Sequence, residues 1–278
     1  MQSEQRSALS AKEREDFRAQ GYLVKPDVLS ATENAELARA LEDACERIVA
    51  AASSVAKDEV FGGAVAFSVV DELGVRNLVW EGEGLDVVKV AEPITQVDER
   101  LARLWSHPQL VELAKLALGV GDVAPFTDKF NAKRARAGGE FLWHQDHPFW
   151  YSILRGDARD TATIGVFVDE ATEGNGALVV VPGTQAGPLP RRLDAGDVML
   201  RYHADDAQID TSGAVVAEVP AGGALLFGPF LLHRSGANAT DRDRRVLLLT
   251  FQPAGRRRLA EFDYEPALLA EQWMDELP

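Results

Sequence analysis

The stretch GALLFGPFLLHRSGANATDRDRRVLLLTFQP, residues 223–253, contains two apolar runs that are joined by a polar turn. The first run ends at His233 and the second begins at Arg244, so a histidine and an arginine stand at the two ends of the turn. Short apolar runs bounded by glycine, proline and aspartate are typical of buried β-strands. The stretch therefore predicts β-structure with chemically useful side chains at the strand ends.

The same pattern extends back to residue 122. Six further short apolar runs alternate with turn residues: VAPFTDKFNAK, EFLWH, TATIGVFVDEA, GALVVVPG, GDVMLRYH and GAVVAEVP. Eight short strands with glycine-rich turns favour a double sheet or jelly roll, the cupin-like double-stranded β-helix. We therefore expect a mainly β fold with flanking helices.

The helices are predicted before this β region. SAKEREDFRAQG ends at Gly21, and SATENAELARALEDACERIVAAA follows it; each starts with serine and has glutamate three residues on, which is a capping box. TQVDERLARLW and SHPQLVELAKLALG predict two more helices, the latter with Ser106 and Gln109 as a third capping box. These helices are expected to cover one outer face of the β region.

Residues 1–278 show no repeat and no clear interdomain linker, so the sequence predicts a single domain. Within it we expect a largely helical buttress over residues 1–120, a jelly-roll core over residues 121–255 and a C-terminal tail over residues 256–278.

Composition limits the class of protein. The net charge of −15 argues against a nucleic-acid partner, which needs a basic surface. Cys45 is the single cysteine, so no internal disulfide can form, and no run approaches the roughly 18 apolar residues of a membrane span. We therefore expect a cytoplasmic protein without a membrane partner, either a monomer or a homodimer, that acts on a small molecule.

A metal site is the hypothesis that explains EFLWHQDHPFWY, residues 140–151. If FLWHQD ends a strand, His144 and Asp146 share one face and Gln145 faces the other way. One imidazole and one carboxylate on a common face are two ligands of a 2-His-1-carboxylate triad, which leaves open positions on Fe(II). His233 is the natural second histidine, because a jelly roll brings distant strand ends together.

Arg244 follows His233 by eleven residues and starts a strand. Arginine is the side chain that can bind a carboxylate with two parallel hydrogen bonds. A dicarboxylate that chelates iron at one end needs such a partner at its other end.

With these residues the chain resembles the phytanoyl-CoA dioxygenase family, Fe(II)/2-oxoglutarate oxygenases built on a double-stranded β-helix. The resembling segments are FRAQGYLVKPDVLS, WHQD, NGALVVVPGTQ and HRSGANATDRDRR, in the family's order. The resemblance implies that His144, Asp146 and His233 bind Fe(II), and that Arg244 with the Ser235 hydroxyl binds the distal carboxylate of 2-oxoglutarate.

The segment NAKRARAGGEFLWHQDHPFW also resembles the ectoine hydroxylase branch in its spacing. That likeness places Asn131 and Phe141 against 2-oxoglutarate and Trp150 in the wall of the substrate pocket. The branch's Phe-Glu-Thr-Trp stretch is replaced here by HPFW, and Thr127 stands where the branch has a substrate-binding glutamine, so we do not identify the chain as an ectoine hydroxylase.

Four other positions have weaker assignments. Lys89 lies where some members of the family place a co-substrate lysine, but a solvated lysine is the favoured interpretation. His147 and Arg234 are candidates for contact with the substrate, and Arg234, where many relatives have glycine, is expected near the mouth of the pocket. His203 is expected to be a surface loop residue.

The resemblance implies a dioxygenase that uses Fe(II), 2-oxoglutarate and O2, hydroxylates an unactivated C–H bond and releases succinate and CO2. The retained Asp146 argues against halogenation, because halogenating relatives place halide where this carboxylate stands. Two alternatives are a jelly-roll binding protein without turnover and a zinc enzyme on the same three ligands. The expected substrate is an amino acid, an amino-acid derivative or a natural-product intermediate; the acidic chain disfavours a CoA thioester.

Overall fold

Two antiparallel sheets form the core of the protein. The computed structural model describes residues 9–60, 65–82, 84, 86–193, 202–205 and 207–262. Apolar side chains of both sheets, among them Phe167, Val180, Phe227 and Val246, are buried together in one cluster between them. This is the predicted double-stranded β-helix, with an open edge on each sheet rather than a closed barrel.

The larger sheet has nine strands within the described residues, in the order β1-β13-β8-β15-β6-β5-β4-β3-β2. Its strands are β1 (Tyr22–Lys25), β2 (Asp58–Val60), β3 (Val65–Val70), β4 (Val75–Glu81), β5 (Val87–Glu92), β6 (Val123–Lys133), β8 (Ala162–Phe167), β13 (Ala224–Phe227) and β15 (Arg244–Pro253). The central strands β8, β15 and β6 are buried on both faces because helices cover one face and the second sheet covers the other.

The smaller sheet has the order β12-β9-β14-β7. Its strands are β7 (Phe141–His144), β9 (Leu178–Val181), β12 (Val215–Ala217) and β14 (Leu232–Ser235), and a separate ribbon is formed by β10 (Arg191–Leu193) and β11 (Tyr202–Ala204). The predicted run GDVMLRYH lies in part outside the described residues, and so does most of the predicted C-terminal tail.

The helices are α1 (Ala11–Gln20), α2 (Ala31–Ala52), α3 (Glu99–Ala102), α4 (Pro108–Leu118) and α5 (His147–Leu154). The capping boxes predicted at Ser10 and Ser30 are present, and α1 ends at Gly21 in the left-handed conformation. Apolar residues of α2 and α4 share one buried cluster with the outer face of the large sheet, so the expected helical buttress is confirmed for these two helices. In the described residues, no helix is long and apolar enough to cross a membrane.

Three local predictions are wrong. Residues 1–120 are not largely helical, because β1 and β2–β5 extend the large sheet at both ends. The Ser106 capping box does not form: α4 begins at Pro108 after His107, and the Ser106 hydroxyl bonds backward to the Arg103 carbonyl. TQVDERLARLW forms only the short helix α3 and a 3₁₀ turn.

The run GALLFGPFLLH is two strands rather than one. It crosses from β13 in the large sheet to β14 in the small sheet, and Gly228-Pro229 lies between them. Proline has no N–H for a sheet ladder, so the apolar run cannot continue as one strand at this point. The free Pro229 carbonyl instead accepts a hydrogen bond from the His147 backbone N–H at 2.9 Å.

Candidate active site

The two predicted metal-binding histidines lie side by side at the edge of the small sheet. β7 and β14 pair in a register that sets His144 directly opposite His233, and their ring centroids are 4.1 Å apart. Both side chains are buried, with 7% and 6% of the residue exposed. Directly paired residues on neighbouring strands point to the same face, so the ladder itself brings the two imidazoles together.

Asp146 completes the cluster by a route that differs from the strand alternation expected from the sequence. β7 ends at His144, and Asp146 adopts helical backbone angles as the residue before α5. Its Oδ1 lies 3.9 Å from the Nε2 atom of His144 and 3.9 Å from that of His233. The nearest donor atoms of the three residues all lie within 4.8 Å of one another, which suits one metal ion.

Backbone carbonyls fix the orientation of both imidazoles. The Nδ1 atom of His144 lies 2.7 Å from the Leu142 carbonyl oxygen, and that of His233 lies 2.9 Å from the Leu231 carbonyl oxygen. A carbonyl only accepts, so each Nδ1 carries the proton and each Nε2 is left with a lone pair for a metal. Burial, followed by the neighbouring His233, holds the pKa of His144 well below its ordinary value, which keeps this ligand neutral.

Gln145 faces away from the cluster, as predicted. Its side-chain amide donates to the carbonyl oxygens of Gly187 and Phe230, and its Oε1 accepts from the Leu189 N–H. These bonds anchor the turn between β7 and α5, and so hold His144 and Asp146 on either side of it.

A buried cation lies at the start of β15. Arg244 is 1% exposed, and its Nε and Nη1 atoms have no hydrogen-bond partner among the described residues. Burial lowers the pKa of this guanidinium to about 10, an effect that Asp169 partly offsets. A buried cation with unsatisfied donors is costly, so the site fits an anionic ligand that would satisfy them.

The residues predicted to surround 2-oxoglutarate lie on strands β6, β7 and β14. Ser235 is buried, two residues after His233 on β14, and pairs with Phe141 on β7. Asn131 lies on β6, opposite Val246 of β15, and its buried Oδ1 has no partner among the described residues. The structure therefore brings the predicted co-substrate residues to one region between the sheets; their role remains a prediction.

Two further buried lysines lie in this region. Lys89 is 4% exposed and forms an ion pair with Glu81 at 3.0 Å, so it is not a solvated lysine. Lys133 is fully buried, pairs in register with Arg244, and donates to the Gly139 carbonyl oxygen. Their Nζ atoms lie 5.2 Å and 5.1 Å from the centroid of the Phe141 ring.

Sequence reasoning missed Lys133, although a signal was available. It stands two residues after Asn131 on the same predicted strand, so the two side chains share a face. Burial first, then Arg244 and Lys89, lower the pKa of Lys133 to about 6. Gly176 is required beside it, because its φ is +84° and a Cβ there would lie 2.6 Å from Lys133 Cδ.

Two of the three predicted substrate contacts, Trp150 and His147, are buried side chains of α5. Trp150 is buried on α5, its ring 5.2 Å edge-to-face from Phe126, and its indole nitrogen has no partner among the described residues. His147 is buried and stacks on Phe230 at 4.3 Å. The pKa of His147 is lowered to about 4, first by burial and then by Arg191 and Arg159.

Arg234 does not lie at the pocket mouth, contrary to the prediction. Strand alternation turns His233 and Ser235 inward, and leaves Arg234 exposed on the outer face of β14, where its guanidinium is 5.1 Å from the Trp143 ring. The surface position predicted for His203 is also wrong. It is 1% exposed on β11, and its charge contributes to lowering the pKa of His144.

This architecture defines a class of enzyme. A double-stranded β-helix with two histidines on paired strands, a carboxylate two residues after one of them and a buried arginine on a later strand is that of the Fe(II)/2-oxoglutarate oxygenases. The sequence profile of the family described as phytanoyl-CoA dioxygenase (PhyH) matches residues 17–246. The chain belongs to this family, and it is a non-haem iron dioxygenase whose cofactor and co-substrates are Fe(II), 2-oxoglutarate and O2.

Two curated relatives illustrate the similarity. L-Proline trans-4-hydroxylase of Streptomyces griseoviridis is 34% identical over 185 residues, covering 61% of this chain and 69% of the relative. Ectoine dioxygenase of Sphingopyxis alaskensis is 26% identical over 270 residues, covering 92% of this chain and 80% of the relative.

Solved structures match the fold at lower identity. EctD of S. alaskensis with 2-oxoglutarate and 5-hydroxyectoine has a TM-score of 0.64 at 22% identity, and covers 92% of this chain and 80% of its own. EvdO2 of Micromonospora carbonacea with 2-oxoglutarate has a TM-score of 0.62 at 24% identity, and the match covers 94% of this chain and 97% of the EvdO2 chain.

The buried Lys133 predicts that co-substrate binding depends on pH. Its pKa of about 6 leaves it neutral at pH 8, and a dicarboxylate bound at Arg244 would raise that pKa and draw a proton. The dissociation constant of 2-oxoglutarate should therefore fall as pH is lowered from about 9 towards 6.5, by at most about tenfold per pH unit for one proton.

The measurement is an anaerobic titration of the Fe(II) protein with 2-oxoglutarate at several pH values, read from the visible charge-transfer band. Lys133→Met, which fills the same space without a titratable group, should bind with a flatter pH dependence. An equal slope in the wild type and in Lys133→Met would show that the proton is taken up elsewhere.

Proposed function

We propose that this protein hydroxylates an unactivated C–H bond of a small molecule and converts 2-oxoglutarate to succinate and CO2. One observation carries the proposal: a cluster of three potential metal ligands lies in the same fold as a buried guanidinium whose Nε and Nη1 have no hydrogen-bond partner among the described residues. A metal site alone would suit zinc hydrolysis, and a pocket alone would suit a binding protein. The pairing of the two supports a metal enzyme with a dicarboxylate co-substrate.

Bound Fe(II) with 2-oxoglutarate would supply the activation of O2. The protein's own residues have simpler tasks. His144, Asp146 and His233 would hold the metal, and a triad of this type leaves positions open for other ligands. Arg244, assisted by the Ser235 hydroxyl, would bind and orient the distal carboxylate of 2-oxoglutarate.

The proposed substrate is an amino acid, an amino-acid derivative or a natural-product intermediate. The relative L-proline trans-4-hydroxylase supports the first of these, since it shares 34% identity with this chain. The net charge of −15 disfavours the phosphate groups of a CoA thioester, although family members with phytanoyl-CoA dioxygenase names also match. Retention of Asp146 supports hydroxylation over halogenation.

The test is a substrate screen under 18O2 that monitors succinate and product mass together. Hydroxylation predicts one labelled oxygen in the product and one succinate for each product molecule. A product that has lost two hydrogens, or an isomer of equal mass, formed with the same succinate yield would keep the reaction class and refute hydroxylation. Product formed without succinate would instead favour the zinc alternative.

A further inference from the structure

A row of polar side chains crosses the inner face of the large sheet, starting at the metal cluster. Thr163 Oγ1 lies 3.5 Å from Asp146 Oδ2 and 3.1 Å from Thr250 Oγ1. Thr250 pairs in register with Thr163 on one side and with Thr127 on the other. Thr127 Oγ1 in turn donates to Glu92 Oε1 at 3.2 Å. The row therefore links the metal ligand Asp146 to a carboxylate three strands away.

An ion pair ends this row. Lys129 Nζ lies 3.3 Å from Glu92 Oε2, and Asn77 donates to the same oxygen at 3.5 Å. Glu92 is 5% exposed, whereas the Lys129 side chain keeps 29% exposure. The ammonium lies 5.7 Å from the centroid of the Trp150 ring, on the helix that follows Asp146. The pair thus presents a positive and a negative pole next to a wall of the substrate region.

Strand alternation confirms that the pair faces inward. Asp128 and Phe130, the neighbours of Lys129, point to the other face: Asp128 bonds to Thr95, and Phe130 lies in the cluster that the helices cover. Lys129, like Thr127, therefore faces the space between the sheets. β8 and β6 are two strand spacings apart, which is on the order of 10 Å. That distance is comparable to the length of an amino acid, so one such molecule would reach from the metal cluster to the pair.

We propose that Glu92 and Lys129 select a zwitterionic substrate, a free α-amino acid, in which Lys129 binds the carboxylate and Glu92 binds the ammonium or secondary amine. The inference rests on the proposed function and specifies its substrate class. The two opposite charges that an α-amino acid carries on its α-carbon complement the two poles of the pair, and no net charge is buried when they meet. A ligand with only a negative charge would be repelled by the Glu92 carboxylate, and a ligand with only a positive charge would be repelled by the Lys129 ammonium.

The test removes one charge at a time from the ligand and from the protein. The protein with Fe(II) and 2-oxoglutarate is titrated anaerobically by calorimetry with the common L-amino acids, and the tightest ligand is compared with its amide and its N-acetyl derivative. In the wild type each derivative should bind about 30-fold more weakly, the loss expected for a hydrogen-bonded charge. Lys129→Met should bind the parent amino acid more weakly than the wild type does, by about the same factor. Replacing the parent amino acid by its amide should then weaken binding to Lys129→Met little further.

Glu92→Gln should likewise bind the parent amino acid more weakly than the wild type does, and the N-acetyl derivative should then bind to it little more weakly than the parent. The double variant Glu92→Gln/Lys129→Met removes both charges, so it leaves no unpaired buried charge, and its melting temperature shows that the fold is kept. A matched control is Glu13→Gln/Lys25→Met, which removes an ion pair of 2.6 Å between α1 and β1 and should keep the wild-type losses for both derivatives.

If the amide binds more weakly than the parent amino acid by the same factor in the wild type and in Lys129→Met, the carboxylate is not bound by Lys129 and that assignment is overturned. If no amino acid binds while methylphosphonate, a probe with negative charge only, does bind, the zwitterion proposal is wrong. The charge-transfer band separates this failure from that of the proposed function. A band that forms with 2-oxoglutarate keeps the oxygenase assignment, whereas its absence would refute that assignment as well.

Discussion

His233→Ala is expected to lose Fe(II) and to lower turnover by more than about 100-fold. Loss of a residue that merely supports a metal ligand already costs about 10- to 100-fold in affinity or activity, so loss of a ligand should cost more. His233 and His144 are held on paired strands by carbonyl oxygens, and no other histidine side chain takes part in this cluster in the described part of the chain. The remaining two residues would not hold the metal in its open geometry.

Iron content and the charge-transfer band with 2-oxoglutarate are the measurements for His233→Ala. Arg234→Gln is the matched control for iron binding, because Arg234 is the next residue of the same strand and faces outward. We expect Arg234→Gln to bind iron as the wild type does. A His233→Ala protein that keeps one iron and a full band would exclude His233 from the metal site.

Arg244→Met is expected to keep iron and to weaken 2-oxoglutarate binding by about a hundred- to several-thousandfold. Removing one partner of a buried charge pair costs about 3–5 kcal/mol, and each 1.4 kcal/mol is about a factor of ten. Arg244→Lys should lie between the two proteins, because lysine keeps the charge but not the planar pair of donors. The dissociation constants of 2-oxoglutarate for both variants are measured by anaerobic titration of the charge-transfer band.

Stability separates this effect from unfolding. Arg244 is a buried cation whose Nε and Nη1 have no hydrogen-bond partner among the described residues, so its removal should not lower the melting temperature of the protein free of 2-oxoglutarate. In the wild type, 2-oxoglutarate should raise the melting temperature by mass action, and in Arg244→Met this increase should disappear. Normal co-substrate affinity in Arg244→Met would show that another cation, such as Lys133, binds the distal carboxylate.

The candidate metal ligands could be proposed from the sequence because His144, Asp146 and His233 end or follow short apolar runs. Arg244 could be placed at the start of the next strand in the same way, and the structure brings the three candidate ligands together. The reason given for Asp146 was nevertheless wrong. Its position comes from the first turn of α5 rather than from strand alternation, and an apolar run of mixed aromatic residues does not reveal that helix.

The sequence by itself determined the β character of the region after residue 122, the order of the candidate ligands and the donor atoms that they offer, because apolar runs, turn residues and the identity of a donor atom are local properties of the chain. Tertiary structure alone decided which side chains face each other. Arg234 was turned outward by its place on β14, His203 was buried by the ribbon of β10 and β11, and Glu92 met Lys129 across β5 and β6.

The physical reason is that the side-chain period of a strand is two. A single bulge or a shift in register moves a residue from one face of the sheet to the other, and register is set by pairing with strands that are distant in sequence. Such irregularities occur between β7 and β14 and between β15 and β6, the pairs that position the metal and co-substrate regions. The sequence therefore indicates which residues are candidates for the site, and the sheet register decides which of their side chains point into it.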